Sequence, residues 1–115
     1  METEKLLSNC DVVSLAGAAK NIASLKNETD RSFVLNQINL SKQLHDIQEI
    51  ILMNHTDCGA YGGKNAFASE VEEHNRHKDE LNLAKKMIAR EHPDLTINTV
   101  LAKIDSAGEV TIQAI

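Results

Sequence analysis

His55 and Cys58 stand three residues apart in the run Ile50-Ile51-Leu52-Met53-Asn54-His55-Thr56-Asp57-Cys58-Gly59. At His-x-x-Cys spacing, a short loop can aim an imidazole nitrogen and a thiolate at one point. Zinc accepts both ligand types at tetrahedral angles. Asp57 is placed to orient such a ligand from behind. Gly59, Gly62 and Gly63 let the backbone turn sharply around it. Two donors are not a complete site, because structural zinc takes four ligands and catalytic zinc usually takes three from the protein. Taken alone, the spacing suits a buried cysteine and a hydrogen-bonded histidine in a turn equally well.

The elements that must position this loop can be read from the flanking pattern. Ile47 to Met53 is an apolar run of the kind found in a strand buried on both faces, as in a parallel sheet. In open α/β sheets, ligands gather beyond the carboxyl ends of the strands, which is where His55 and Cys58 fall. Asp11-Val12-Val13-Ser14-Leu15 reads as another strand, ending in the turn Ala16-Gly17-Ala18-Ala19. Asn27 to Asp30 is polar and suits a helix cap, and Val34, Leu35, Ile38 and Leu44 recur at helical spacing over 31–44. Ser69 to Glu91 is the longest helical stretch, with Leu81, Ala84 and Ile88 on one side and Pro93 just past its end. Leu95 to Ile104 and Glu109 to Ala114 read as strands joined by the turn Asp105-Ser106-Ala107-Gly108, an antiparallel hairpin at a sheet edge. Alternating strands and helices predict an α/β fold, a three-layer Rossmann-like arrangement with a mainly parallel sheet.

The chain has 115 residues, which suits one domain over 1–115. Hydrophobic residues make up 42% and aromatic residues only 3%, so the core must be built from Leu, Ile, Val and Ala. The net charge is −5 and the 12 basic residues are scattered. That argues against a nucleic-acid partner, since phosphate binding wants clustered Lys and Arg. No apolar run reaches the roughly 18 residues of a membrane span. The opening Met1-Glu2-Thr3-Glu4-Lys5 lacks a signal-peptide layout. A cytoplasmic protein is expected, in which Cys10 and Cys58 stay reduced.

The loop and its flanks resemble β-class carbonic anhydrases. The run Ile50 to Gly59 is similar to that family's second zinc-binding segment, in which the histidine and the cysteine are both ligands. Asp11 to Ala18 resembles the family's second strand and Ala-Gly loop, and Leu101 to Val110 its closing hairpin. The resemblance implies zinc as cofactor, held by His55 and Cys58 and shaped by Asp57 and Gly59. It implies carbon dioxide and bicarbonate as substrates, hydrated by a zinc-bound hydroxide.

Two departures stand beside that likeness. The family's usual Arg-Asn before Ala-Gly is Ser14-Leu15. The family also opens with a strand ending in Cys-x-Asp-x-Arg, which supplies the first zinc cysteine and an Asp–Arg pair, and nothing before Asp11 matches it. Cys10 is a poor substitute: read at the start of its strand, it lies about 16 Å from the far end of a parallel neighbour. It reads better as a small, partly buried residue at a strand entrance. Three readings of the gap stay open: a start placed too late or a trimmed chain, a degenerate domain that binds an anion or a subunit at the same loop, or a partner chain that completes the site. Little or no activity is expected of this chain alone. Unpaired strand edges would favour a homo-oligomer, at least a dimer.

Other patterns carry less. Gly59 to Asn65 falls short of a P-loop, with three residues rather than four before Gly63-Lys64 and no Ser or Thr after the lysine. His74 and His77, beside Glu70, Glu72, Glu73 and Asp79, read as a solvated polar helix face more readily than as a metal site. His45 and His92 read as ordinary helix-end imidazoles.

Overall fold

Ser69 fixes the start of the longest helix. Its extended backbone turns the side chain back, and Oγ accepts the Glu72 N–H at 3.1 Å, satisfying a donor that the first helical turn leaves without a partner. Glu70, Glu72 and Glu73 follow in the first turn, where acidic side chains complement the helix dipole. The far end closes with the His92 N–H on the Ile88 carbonyl at 2.9 Å, and Pro93 comes next. The computed structural model describes residues 10–24 and 28–115. In chain order they form α1 (Lys20–Ala23), α2 (Glu28–His45), β1 (Glu49–His55), α3 (Glu70–Glu91), β2 (Thr96–Ile104) and β3 (Val110–Ala114). Two 3₁₀ turns, Gly59–Tyr61 and Lys64–Ala66, lie between β1 and α3. Of the polar run expected to cap α2, Asn27 lies outside the described residues.

The sheet has the order β1-β2-β3. β1 and β2 are parallel, from Glu49 opposite Thr96 to His55 opposite Ala102, with α3 as the crossover. β2 and β3 form the expected antiparallel hairpin. Its turn is closed by Asp105, whose carboxylate accepts the Ala107 and Glu109 N–H groups at 2.9 Å each. Gly108 takes a positive φ of 82° there, a conformation that costs glycine nothing.

The core follows from the periods. Leu81, Ala84 and Ile88 of α3 are fully buried and meet Ala19, Ile22 and Ile97. Val34, Leu35 and Ile38 of α2, with Ile50 and Leu52 of β1, pack around them. Because strand side chains alternate, Ile50, Leu52 and Ile97 share one sheet face. The opposite face carries Met53, Ile104 and Ile112, all exposed, beside Val100 and Ala102, which are buried but lie outside that cluster. Among the described residues the core thus joins the helices to one face. The result is a mixed α/β fold, and the expected three layers and mainly parallel sheet are not seen.

Two elements differ from expectation for one physical reason. Asp11–Leu15 forms no strand, and Val12 is 65% exposed. β-branched residues favour strands only where a neighbouring strand takes up their backbone groups, and among the described residues no strand pairs with this segment. Its one described side-chain anchor is Asp11, which accepts the Ser41 Oγ–H at 3.0 Å. Consequently β1 lies at a sheet edge and is only half-buried, with Asn54 its one buried residue. The most buried strand is β2. Cys10, read as partly buried at a strand entrance, is exposed. Among the described residues no helix is long and apolar enough to cross a membrane.

Candidate functional site

β1 ends at His55, and the chain turns at once. The Thr56 N–H donates to the Ala102 carbonyl at 3.0 Å, and Thr56 Oγ1 accepts the Ile104 N–H at 2.9 Å. Both bonds pin the loop to β2. Asp57 then takes a positive φ of 56°, a conformation that aspartate tolerates better than most residues. Its N–H donates to Glu73 Oε2 at 2.8 Å, and its carboxylate accepts the Lys64 N–H at 2.7 Å. The Cys58 carbonyl receives the Tyr61 and Gly63 N–H groups at 3.0 and 2.9 Å.

The sharp turning falls at Gly62 and Gly63, with φ of 88° and 76°. A Cβ on Gly62 would stand 2.9 Å from that of Ala66, and one on Gly63 would stand 3.1 Å from Asp57 Oδ1. Gly59 has open space around its Cα.

His55 and Cys58 come together. With Asn54, Leu15, Gly17 and Ala18 they line a single pocket of about 20 Å³, room for one molecule the size of water. Cys58 is buried and His55 is exposed. His55 Nδ1 lies 2.7 Å from the Thr56 carbonyl oxygen. A carbonyl can only accept, so Nδ1 carries a proton, and in the neutral ring Nε2 is then the nitrogen left with a lone pair. Histidines that bind metals are held in this way, with the second nitrogen donating to a carbonyl or carboxylate.

The pair therefore fits zinc in kind but not in number. Among the described residues no three His, Cys, Asp or Glu side chains converge on a point that could hold a metal ion. Asp57 directs its carboxylate at the loop backbone, and Cys10 is not among the residues lining the pocket.

Beneath the pocket lies a buried polar group that the charge pattern disguises. Asn54, Glu73 and His77 are all buried, His77 completely. Asn54 Oδ1 accepts the Ala19 N–H at 3.2 Å, which leaves its NH₂ facing Tyr61 Oη and His77 Nδ1, each 3.0 Å away. The Tyr61 ring meets the His77 ring edge-on at 4.7 Å. Burial pushes the Tyr61 hydroxyl up to about 12, against the pull of the Asn54 hydrogen bond. Burial also pushes His77 below the ordinary histidine range, although Glu73 pulls the other way.

The reading of Glu73 and His77 as a solvated face is thus overturned. Their positions continue the stripe 73, 77, 81, 84, 88, so the i, i+4 spacing that marks the core also marked them.

A family model described as "Putative carbonic anhydrase" matches residues 1–112. The chain belongs to this family. An uncharacterized protein of Rickettsia bellii (strain RML369-C) is 30% identical over 117 aligned positions, which cover 94% of this chain and 71% of that one. An uncharacterized protein of Rickettsia conorii (strain Malish 7) is also 30% identical, over 94% of this chain and 63% of its own length. Both relatives are longer than the stretch they share with this carbonic-anhydrase-like chain. No solved structure matches it.

Proposed function

We propose that this chain carries the histidine–cysteine half of a carbonic-anhydrase-like zinc site, with His55 and Cys58 as ligands, and that alone it hydrates carbon dioxide weakly or not at all. One observation carries the reading: His55, with Nδ1 held by the Thr56 carbonyl, and the buried Cys58 line the same pocket at the carboxyl end of β1. A cytoplasmic setting would keep the Cys58 thiol available as a ligand.

The absence of a third donor among the described residues supports the second half of the proposal. The missing donor, with the polar groups that would face a bound water, is assigned to a segment outside the described residues or to a second copy of the chain. β1 is the natural place for such a segment to join. It stands at the end of the sheet, and its Met53 is exposed. Strand edges of this kind invite further pairing.

Metal analysis of the purified chain, beside stopped-flow carbon dioxide hydration, tests the proposal. Weak zinc binding that is lost in Cys58→Ser, with hydration at the uncatalysed rate, is the expected outcome. Stoichiometric zinc with full activity would show that the chain is complete. No zinc binding at any concentration would favour the other reading, a degenerate domain that binds an anion or a subunit at the same loop.

A further inference from the structure

We propose that Glu73 is a positioning residue for His55, acting through the Thr56–Asp57 peptide to hold the imidazole with Nδ1 protonated and Nε2 free. The inference rests on the reading of His55 as a ligand, but concerns the protein's own atoms.

The Asp57 N–H donates to Glu73 Oε2 at 2.8 Å. That N–H belongs to the same peptide unit as the Thr56 carbonyl, and in a trans peptide the two point in opposite directions. The carbonyl is the acceptor for His55 Nδ1 at 2.7 Å. Glu73 thus grips one side of a rigid plate whose other side sets the tautomer of His55. A carboxylate acceptor strengthens the first bond, and each bond polarises the next along the chain. Without that grip, the plate would lose its bond on the Glu73 side, and Asp57 would keep only its carboxylate bond to the Lys64 N–H to hold its positive φ.

His77 supports Glu73 from one turn along α3. Asn54 Oδ1 is taken by the Ala19 N–H, so its NH₂ donates to His77 Nδ1. His77 therefore carries its proton on Nε2, which has no hydrogen-bond partner and lies 3.9 Å from Glu73 Oε2. The same Asn54 side chain holds the turn that forms the opposite wall of the pocket. A polar stripe on one helix thereby sets both walls, without itself lining the pocket.

The test uses nitrogen NMR of metal-free protein above the range where histidine is charged. Wild type is expected to show His55 protonated on Nδ1 and a protected Asp57 amide. Glu73→Ala should give His55 as a mixture of tautomers and speed Asp57 exchange about ten-fold or more, the loss expected for a charge-assisted bond. Glu73→Gln keeps an acceptor oxygen at the same reach, and it should restore the wild-type tautomer. The Leu101 amide in the core of β2 serves as the control for global loosening. Wild-type behaviour of both His55 and Asp57 in Glu73→Ala would overturn the proposal, as would a change that only follows Leu101 exchange. Should Glu73→Ala fail to fold, a tautomer mixture in folded Glu73→Gln would likewise count against it. Zinc content is measured separately, so the chain can fail as a metal protein while this arrangement holds.

Discussion

The loop after β1 and the first two turns of α3 make an instructive pair. The loop carries residues of the types that bind metals, yet His55 is exposed and the loop is held by hydrogen bonds from backbone, Thr56, Asp57 and Glu73. The helix carries residues that ordinarily face water, yet Glu73 and His77 are sealed beneath the pocket. Residue type announced the first region and concealed the second. The difference lies in what each side chain meets: a polar group becomes part of a core when its hydrogen bonds are met there. Asn54 supplies one for His77 and the Asp57 N–H one for Glu73, while His77 Nε2 has none.

Substitutions along the stripe should therefore sort by burial rather than by polarity. The largest effect is expected from Leu81→Ala, where removing a fully buried side chain costs about 2–5 kcal/mol. Chemical denaturation measures it. At the other extreme Val13→Ala, at a position 51% exposed, should change stability by no more than about 0.5 kcal/mol. A large loss there would mean that Asp11–Leu15 is held by packing after all.

His77 gives the comparison a pH signature. Its folded pKa lies below the ordinary value of 6.5, so the unfolded chain takes up a proton that the folded chain refuses. Stability from this residue is complete above pH 6.5 and falls as the pH drops through the window beneath it. Replacing His77 with Gln should remove this component of the acid slope, even if it lowers stability overall. An unchanged slope would mean that other groups set the acid sensitivity. Smaller still is the effect expected from Arg76→Ala. It removes an i, i+4 ion pair at 3.1 Å between exposed Arg76 and the mostly covered Glu80, a helix pair worth about 0.3–0.5 kcal/mol.

Much of the fold was legible because its signals are local. Ser69 and Pro93 bracket α3, Asp105 to Gly108 closes the hairpin, and Ile50 to Met53 lies within a strand. The pairing of strands is not local. Asp11–Leu15 has the composition of a strand but pairs with no strand among the described residues, so it stays irregular and β1 stands at the edge. At the site, His55 and Cys58 were visible from type and spacing. Glu73 and His77 were hidden by the charged residues around them, although their spacing to Leu81 placed them on the buried stripe. The link from Glu73 to His55 runs through a single peptide, and no residue pattern records it.

His55 and Cys58 are proposed to act on one point as two ligands of an incomplete site. Cobalt titration of the chain, followed by absorption, tests this most directly. The account predicts a thiolate-to-cobalt charge-transfer band that forms weakly, disappears in Cys58→Ser and is diminished in His55→Ala. A band indifferent to His55→Ala, or no band at any cobalt concentration, would contradict it.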